Sequence, residues 1–402
     1  MSKFLFVSTY DLRRNTSGNI RTVALMKSLH DNGHTVHCIF VPTNNVSDTD
    51  IFNSLITIDK VITFPRTKVS CINDTSGKVI STHKTIKSVL RTQLINLYSS
   101  LSVYDVFALQ LIKLKKSDLL ELDDDYDYII SSSEPRSSHK FARKIIKLKK
   151  LTAKWILYWG DPMSNDVASN KLFSGLEAKE EQKLIEISDA SIYTNPCASR
   201  YMKMKYPKLA SKIDWIPTTD FHIHNDDLCK GDTTQIGYFG DYRQKYRNIL
   251  PFYESCVENN FSSIIIGGSD LELHSRTNVK VMGRMSRDAI SEYEKNCGIL
   301  VVLENISRTG ICIQVPGKLY HYGLTDKHIL VICESSNIAK DYDQYHRFIF
   351  VPNEKSKITE AIRNIQAGSS NVPKCIPVPD FEYNKISRIF IEKLDIICNN
   401  KN

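Results

Sequence analysis

Glycines and basic side chains follow several strand-like segments in the second half of the chain. Gly240 ends one of these segments and precedes Arg243, Lys245 and Arg247. Glycine allows backbone N–H groups to approach an anion closely, and Arg and Lys supply the positive charge that holds it. The same combination recurs at Gly267-Gly268, at Gly283-Arg284 and at Gly317-Lys318. Together the loops predict a diphosphate site, although each loop alone also fits an ordinary strand end with basic surface residues.

Two side chains in the first half are candidates for catalysis. Asp161 follows an aromatic-rich segment, residues 155–159, and a carboxylate there suits catalysis or contact with a sugar in a semi-buried cleft. A helix N-cap or an Asp-Pro turn explains Asp161 equally well. His139 stands in the first turn of a predicted helix, where its ring either faces a cleft or caps the helix. Residues 123–125 are three aspartates that precede a strand, which indicates a solvated turn rather than a metal site.

A strongly basic helix is predicted in the first half. Residues 136–154 contain eight Lys or Arg and no acidic residue, and their apolar residues recur at helical spacing, so the opposite face is cationic. Residues 1–215 hold 31 of the 53 basic residues but 22 of the 45 acidic ones. We expect this face either to lie against anionic lipid or to be solvated; nucleic acid is not expected, because no binding motif accompanies it. The membrane-facing candidates are Lys140, Lys144, Lys147 and Lys150.

Alternating strands and helices must position these residues. Strand-like runs occur at 3–8, 34–41, 126–131, 155–159 and 190–194, and again at 235–240, 263–268, 279–283, 299–303, 328–332 and 348–351. Helical spacing separates most of them, which predicts two doubly wound α/β domains, at 1–215 and 216–380, joined near Trp215. Residues 45–120 mix short strand-like and helix-like stretches and are predicted to be an insertion at the acceptor end. Ligands of such sheets bind outside the carboxyl ends of the strands.

The composition is that of an ordinary soluble protein. Of the 402 residues, 42% are hydrophobic and 24% charged, close to the average for globular domains. No run approaches the roughly 18 apolar residues of a membrane span, and the N-terminus does not have the pattern of a signal peptide. The ten cysteines are dispersed without Cys-x-x-Cys spacing, which predicts free thiols, no zinc site and a cytoplasmic location. Walker A and G-x-G-x-x-G motifs are absent, which disfavours ATPases and dehydrogenases.

Taken together, the motifs resemble GT-B glycosyltransferases, specifically the family 4-like retaining enzymes of bacterial surface-polysaccharide synthesis. Residues 33–36 are similar to the family's G-H-x-V second strand. Residues 129–139 and 155–162 are similar to its patterns S-S-x-P-x-S-S-H and W-I-x-D-x-R-D-P-W. Residues 315–322 and 327–331 are similar to the donor-site pattern P-x-K-x-x-E-Y-L-A-x-G-K-P-I-L. The likeness extends over nearly the whole chain.

The resemblance implies two Rossmann-like domains that face each other across a cleft, with a final helix at 381–402 packed back on the N-terminal domain. It also implies a hexosyltransferase (EC 2.4) that moves a sugar from a nucleotide-diphosphate sugar to a bacterial glycan. The acceptor would be a lipid-linked oligosaccharide or a polysaccharide of the capsule or lipopolysaccharide. Family chemistry needs no metal, because protein cations stabilise the leaving group, so neither a metal nor another cofactor is expected. The location implied is the cytoplasm, peripheral on the inner face of the cell membrane.

The resemblance also assigns roles to the candidate residues. Lys318 and the basic residues after Gly240 would neutralise the leaving diphosphate in the second domain. Gly18 would lie beneath the phosphates, and Asp161 would contact the sugar or the acceptor. The donor-binding set implied is Gly18, Gly240, Arg243, Lys245, Arg247, Gly268, Arg284, Lys318 and His321.

Three positions depart from the family pattern. His321 stands where many relatives have the second glutamate of a pair, Ile313 falls near the first, and Gly160 replaces the arginine of R-D-P. Two other functions therefore remain as alternatives. One is a nucleotide-sugar epimerase with the same fold, and the other is a non-catalytic member of a polysaccharide assembly complex.

Overall fold

The computed structural model describes residues 1–14, 16–42, 57–64, 93, 97–98, 102–164, 174–219, 231–305, 313–335 and 337–399. The chain forms two compact units. Unit 1 comprises Met1–Ile216 with Tyr383–Asn402, and unit 2 comprises Pro217–Glu382. Most of the insertion predicted at 45–120 lies outside the described residues.

Unit 1 is built on a seven-stranded sheet in the order β3-β2-β1-β4-β5-β6-β7, in which every pair of strands is parallel. Its strands are β1 (Lys3–Ser8), β2 (Thr35–Phe40), β3 (Lys60–Thr63), β4 (Tyr128–Ser132), β5 (Lys154–Trp159), β6 (Ala190–Tyr193) and β7 (Ile213–Trp215). Its α-helices include α1 (Ser17–Asp31), α2 (Ser137–Lys149), α3 (Ser174–Ile187) and α4 (Pro196–Lys205). Short 3₁₀ helices occupy Val106–Lys113, Lys116–Leu119 and Pro207–Lys212.

The central strand and the first helix of unit 1 show why these residues form these elements. Phe4, Leu5 and Phe6 in β1 are fully buried in succession, as expected of a parallel strand that is covered on both faces. Helix α1 begins after Thr16, whose side chain accepts a hydrogen bond from the Asn19 N–H. It ends before Gly33, whose φ of +84° lies in the left-handed region that favours glycine.

Unit 2 is built on a six-stranded sheet in the order β10-β9-β8-β11-β12-β13, also with parallel pairing throughout. Its strands are β8 (Asp232–Phe239), β9 (Ser262–Ile266), β10 (Val279–Met282), β11 (Cys297–Leu303), β12 (His328–Cys333) and β13 (Phe348–Pro352). Its α-helices are α5 (Leu250–Glu258), α6 (Arg287–Asn296), α7 (Lys318–Gly323), α8 (Asn337–Tyr342) and α9 (Lys355–Gln366). Short 3₁₀ helices occupy Asp343–Tyr345 and Pro379–Phe381.

The last helix, α10 (Tyr383–Asn399), belongs to unit 1. It packs along α1, where the Ser28 hydroxyl donates to the Tyr383 carbonyl at 2.8 Å and to the Ser387 hydroxyl oxygen at 3.0 Å. Lys393 of α10 pairs with Asp214 of β7 at 3.0 Å. Unit 1 is therefore assembled from two stretches of chain that are distant in sequence.

The prediction of two parallel α/β sheets is confirmed, and each predicted strand is present within a few residues of its expected ends. Two strands differ from expectation. Residues 213–215 form the edge strand β7, whereas Trp215 was expected to begin the connection between the domains. Strand β3 comes from the region 45–120, which was predicted to be an insertion that mixes short strands with helical stretches, without bounds for any of them.

Candidate functional site

The strands of unit 2 bring the predicted glycines close together. Gly240 follows β8, and its N–H donates to the carbonyl of Ile266, the last residue of β9, at 2.8 Å. A Cβ atom on Gly267 would lie 2.5 Å from the carbonyl carbon of Gly240 and 3.1 Å from the Asp241 nitrogen. Both are backbone atoms that do not move aside easily, so the close approach of the two strand ends already requires glycine at position 267.

Asp241 joins Gly268 and Arg284 to the end of β8. Its Oδ1 accepts hydrogen bonds from the Gly268 N–H and from Arg284 Nε, both at 2.8 Å, and Arg284 Nη2 contacts Oδ2. Burial opposes ionisation of Asp241, but the bonds from Arg284 and Gly268 outweigh it and lower the pKa of this carboxyl. The Arg284 side chain is 71% exposed, so most of it is open to solvent while Asp241 fixes its position.

Arg247 lies at the ends of β8 and β11. Its Nε donates to Asn305 Oδ1 at 2.9 Å, and its Nη1 donates to the Asp241 carbonyl at 3.0 Å. The Tyr238 hydroxyl donates to the same carbonyl at 3.0 Å. These partners are neutral, so they orient the guanidinium without neutralising its charge.

The other two cations after Gly240 are held less firmly. Arg243 is half-buried, and its backbone exchanges two hydrogen bonds with that of Arg247, at 2.9 and 3.1 Å. Its charge contributes to the lowered pKa of Asp241. Lys245 is exposed. Of the three alternatives given by the sequence, Arg247 is the one whose side chain is fixed against the ends of the strands.

Lys318, the first residue of α7, reaches the same strand end. A Cβ on Gly240 would lie 4.0 Å from Lys318 Cε. The Lys318 ammonium lies 5.8 Å from the centre of the Phe239 ring and donates to the Tyr322 hydroxyl oxygen at 3.2 Å. It also pairs with Glu294 Oε1 at 3.2 Å. Lys318 is therefore positioned beside Gly240 by contacts from β8, α6 and its own helix.

Glu294, on α6, is a half-buried carboxylate that sequence reasoning missed. Its Oε1 accepts from the Tyr322 hydroxyl at 2.8 Å as well as from Lys318, and its Oε2 lies 3.8 Å from His321 Nε2. Burial favours its neutral form, but the Lys318 charge and the contacts with His321 and Tyr322 prevail, so the pKa of Glu294 lies well below its usual range. The other ring nitrogen of His321, Nδ1, is buried and has no hydrogen-bond partner among the described residues.

Glu304 is a second carboxylate that the sequence did not single out. It follows β11, is almost fully buried, and accepts hydrogen bonds from the N–H groups of Glu334 and Ser335 at 2.7 and 2.9 Å. The Ser335 hydroxyl adds a third at 2.7 Å. Glu304 thereby fixes the loop after β12 and positions Asn305, the partner of Arg247.

Within unit 2 the predicted residues thus converge on one place. Arg247, Arg284 and Lys318 surround Gly240-Asp241 at the carboxyl ends of the strands, where parallel α/β sheets bind ligands. Arg247 donates to neutral partners, whereas Arg284 and Lys318 are each paired with a carboxylate. The arrangement is suited to holding an oxyanion with more than one negative charge.

Unit 1 places Gly18 and Gly160 at the carboxyl edge of its own sheet. Gly18 is in the first turn of α1, where a Cβ would lie 3.2 Å from Glu134 Oε2. Gly160 follows β5, with its N–H donating to the Ser133 hydroxyl oxygen at 2.9 Å and its carbonyl accepting from Thr194 Oγ1 at 3.0 Å. Asp161 comes next and is half-buried.

His139 lies in the interior of unit 1. Its Nδ1 is 2.7 Å from the Ser131 hydroxyl oxygen, and its ring centre is 4.1 Å from that of Trp159. Burial lowers the pKa of His139 to about 3, so the ring is neutral near pH 7. In place of the two orientations expected from the sequence, cleft-facing or capping, the ring is fully buried.

The basic helix predicted at 136–154 is α2, and it buries its apolar face. Lys140, Lys147 and Lys150 are exposed. Lys144 is half-buried and donates to the carbonyls of Leu111 and Ile112 in the neighbouring 3₁₀ helix. The solvent-facing charge at this helix thus comes from Lys140, Arg143, Lys147 and Lys150, whereas Lys149 is 9% exposed and pairs with Asp124.

No helix in the described ranges has the length and apolar character required to cross a membrane. Across the same residues, no group of three or more His, Cys, Asp or Glu side chains is arranged to hold a metal ion. Each of the seven cysteines in the part of the chain that the structure describes is a free thiol.

Comparisons with protein families and with curated protein sequences give no match, whereas solved structures match along almost the whole chain. HepE of Anabaena, in complex with UDP and glucose, is 10% identical, with a TM-score of 0.56 over 100% of this chain and 98% of HepE. A glycosyltransferase of Rickettsia africae is 13% identical, with a TM-score of 0.57 over 99% and 98%. A putative UDP-N-acetylglucosamine 2-epimerase of Listeria monocytogenes is 7% identical, with a TM-score of 0.52 over 100% and 98%. The chain therefore has the GT-B fold, with two parallel-sheet α/β domains, that these proteins share.

Proposed function

We propose that this protein is a glycosyltransferase that transfers a sugar from a nucleotide-diphosphate sugar to a glycan acceptor. The observation that carries the proposal is the group of Arg247, Arg284 and Lys318 around Gly240-Asp241 in unit 2. The whole-chain likeness to HepE, which binds UDP and glucose, supports a nucleotide with a diphosphate as the ligand.

In the proposed reaction, unit 2 binds the donor and stabilises its leaving group. As the bond from the sugar to the diphosphate breaks, negative charge accumulates on the diphosphate oxygens. Fixed cations that are already in place stabilise that charge without reorganising. Lys318 and Arg247 supply the inner charges and Arg284 an outer one, and the proposal needs no metal ion. Glu294 and Asn305 act as positioning residues, because they hold Lys318 and Arg247.

Unit 1 is proposed to bind the acceptor side of the reaction. Asp161 is assigned contact with the sugar or the acceptor, in keeping with its place after β5. His139 is assigned a positioning role, because a neutral, fully buried ring cannot exchange protons with a substrate. Retention of configuration and an acceptor from bacterial surface polysaccharide are proposed on the basis of the sequence resemblance to family 4-like enzymes.

The first experiment measures thermal stabilisation by UDP, GDP, ADP, CMP and dTDP, each with and without magnesium. A ligand at one hundred times its Kd adds about 2.7 kcal/mol to stability, enough for a clear shift in Tm. We expect one nucleoside diphosphate to stabilise the protein irrespective of magnesium. No shift with any of the nucleotides would refute the donor site.

Variants connect that shift to the proposed residues. Lys318→Ala is expected to weaken the nucleotide about tenfold to a hundredfold, the range for loss of one charged hydrogen bond. Lys340→Ala, which removes an exposed lysine from α8 of the same unit, is the matched control and should leave the affinity unchanged. Equal affinities for both variants would remove Lys318 from the site.

An epimerase is the second candidate, because the putative epimerase of Listeria monocytogenes has the same fold over the full chain. The two functions differ in their need for an acceptor. Incubation with the donor alone, followed by NMR of the sugar, would yield an epimerised donor in one case and no epimerisation in the other. A protein that binds the nucleotide yet neither transfers, hydrolyses nor epimerises the sugar would fit the non-catalytic alternative.

We also propose that the exposed face of α2 contacts anionic membrane. Positive charge near anionic lipid contributes about 1 kcal/mol per Lys or Arg. The triple change of Lys140, Lys147 and Lys150 to Glu should abolish co-sedimentation with phosphatidylserine-containing vesicles. The same triple change at the exposed Lys179, Lys183 and Lys208 of unit 1 is the control. If the first variant still sedimented with vesicles, this face would not be the membrane contact.

A further inference from the structure

Arg21 carries a charge that the rest of unit 1 satisfies only in part. Its side chain is 11% exposed and lies 3.6 Å from Glu134 Oε2 through Nη2. The same Nη2 is 3.4 Å from the Ser133 carbonyl oxygen, a long hydrogen bond. Nε is buried and has no partner among the described residues. A guanidinium has five N–H donors, and a buried charge is costly unless it is well paired, so these contacts leave it short of partners.

The space that Arg21 occupies exists because residue 160 is glycine. A Cβ at that position would lie 2.5 Å from the guanidinium carbon, so any side chain there would displace the whole group. Gly160 itself is held by Ser133 and Thr194. The guanidinium is thus placed at the carboxyl edge of the sheet, beside Gly160 at the end of β5.

Glu134 is the one charged partner of Arg21 in the described part of unit 1, and its position is unusual. Its φ is +68°, in the left-handed region that costs a non-glycine residue roughly 1–2 kcal/mol. Its carboxylate extends over Gly18, with 46% of the side chain exposed. Residues held in such conformations cluster at ligand clamps and switch regions. A strained, half-exposed carboxylate at 3.6 Å is a weak and displaceable partner.

We propose that Arg21 binds a phosphate group of a substrate, and that Glu134 occupies the position of that phosphate when no ligand is bound. The inference rests on the proposed function and adds a phosphate-binding residue in unit 1. The planar guanidinium suits phosphate because two parallel N–H groups can bind two phosphate oxygens. Two substrates of the proposed reaction could supply the group, namely the nucleotide donor and an acceptor linked through phosphate.

The proposal predicts that substitutions at Arg21 and at Glu134 change the affinity for the ligand in opposite directions. Binding of UDP and of geranyl phosphate, a short prenyl phosphate, is measured by isothermal titration calorimetry. Arg21→Met should weaken one of these ligands at least tenfold. Glu134→Gly, which removes the competing carboxylate and relieves the backbone strain, should tighten the same ligand several-fold. The ligand that responds identifies the source of the phosphate.

Lys27→Met is the matched control, because it removes one positive charge from the same helix and should change neither affinity. Arg21→Lys keeps the charge but loses the planar group, so it should bind the ligand with an affinity between those of the unaltered chain and Arg21→Met. It also serves as the test if Arg21→Met fails to fold. Three results would overturn the proposal: equal affinities for Arg21→Met and Lys27→Met, weaker binding by Glu134→Gly, or no binding of either phosphate by the unaltered chain. One set of results would reject this inference and preserve the proposed function. In that case Lys318→Ala would lose UDP binding, Arg21→Met would bind UDP as tightly as the unaltered chain, and neither Arg21→Met nor Glu134→Gly would change the affinity for geranyl phosphate.

Discussion

Replacing Glu294 with Gln removes a half-buried negative charge while keeping the size of the side chain. In the native protein this carboxylate accepts from the Tyr322 hydroxyl at 2.8 Å, pairs with Lys318 at 3.2 Å and lies 3.8 Å from His321 Nε2. Hydrogen bonds to charged groups contribute about 1.5–3 kcal/mol each. Removing one partner of a fully buried ion pair costs about 3–5 kcal/mol.

The Lys318 side chain is 38% exposed, so solvent compensates part of the lost pairing and the cost is smaller than for a fully buried pair. We therefore expect Glu294→Gln to destabilise unit 2 by about 2–3 kcal/mol at pH 7. The matched control is Glu292→Gln on the same helix. Glu292 is 73% exposed and pairs with Lys295 at 3.2 Å, so its replacement should cost less than about 0.5 kcal/mol.

The difference between the native protein and Glu294→Gln must depend on pH in one direction. Because the folded protein lowers the pKa of Glu294, the ionised carboxylate stabilises the fold above the ordinary pKa of about 4.3. This contribution is lost as the pH falls through the folded pKa. The difference in stability should be largest near neutral pH and shrink in acid.

Urea unfolding, monitored by hydrogen exchange of peptides from unit 2, measures this difference in stability. Fluorescence of the three tryptophans, Trp155, Trp159 and Trp215, reports on unit 1 and serves as the internal reference. A cost below about 0.5 kcal/mol, the usual effect of a surface substitution, or a difference that widened in acid would refute the assignment of Glu294 as the charge that holds Lys318.

Three further predictions concern residues in contact with the site or with the core. Gly267→Ala should lower the Tm and weaken nucleotide binding, because its Cβ would meet the Gly240 backbone; an unchanged Tm would show that the strand ends can separate freely. Tyr322→Phe should cost about 1–2 kcal/mol in urea unfolding, since it removes one hydrogen bond to Glu294, and a neutral effect would contradict that bond. His139→Leu should destabilise unit 1 yet leave any inflection near pH 6.5 in the rate profile in place, because the pKa of His139 is about 3; loss of the inflection would mean that His139 titrates.

Much of the fold could be predicted because parallel strands buried on both faces read as continuous apolar runs. The run Phe4–Val7 and the run Ile299–Leu303 are such segments, and both are strands. Strands β3 and β7 escaped prediction because they are only four and three residues long. A segment this short at the edge of a sheet has too few apolar residues to show the pattern of a strand.

The candidate site was predictable only where chemistry coincides with strand ends. Gly240, Gly268 and Arg284 each follow a strand, so sequence order alone groups them at one edge. Glu294 lies on a helix, and nothing in its own neighbourhood indicates that it meets Lys318, 24 residues away. Such contacts depend on how helices pack on the sheet, which sequence periodicity does not determine.

The contact between Arg21 and Gly160 is the most instructive case. In the pattern that residues 155–162 resemble, an arginine stands at the position that Gly160 occupies in this chain. In the structure the guanidinium of Arg21 occupies the space beside that glycine. The positive charge that the pattern places at this position is therefore supplied here from another element, helix α1.

The placement of α10 in unit 1 has a consequence for how the chain folds during synthesis. A ribosome makes β1 to β7 first, then all of unit 2, and only then Tyr383–Asn399. Until that final helix emerges, Ser28 lacks the Tyr383 and Ser387 partners that it has in the finished protein, and Asp214 lacks Lys393. The surface of α1 that α10 covers in the finished protein is therefore exposed while unit 2 is translated. During that interval chaperones can bind the exposed surface, and the nascent chain can aggregate through it.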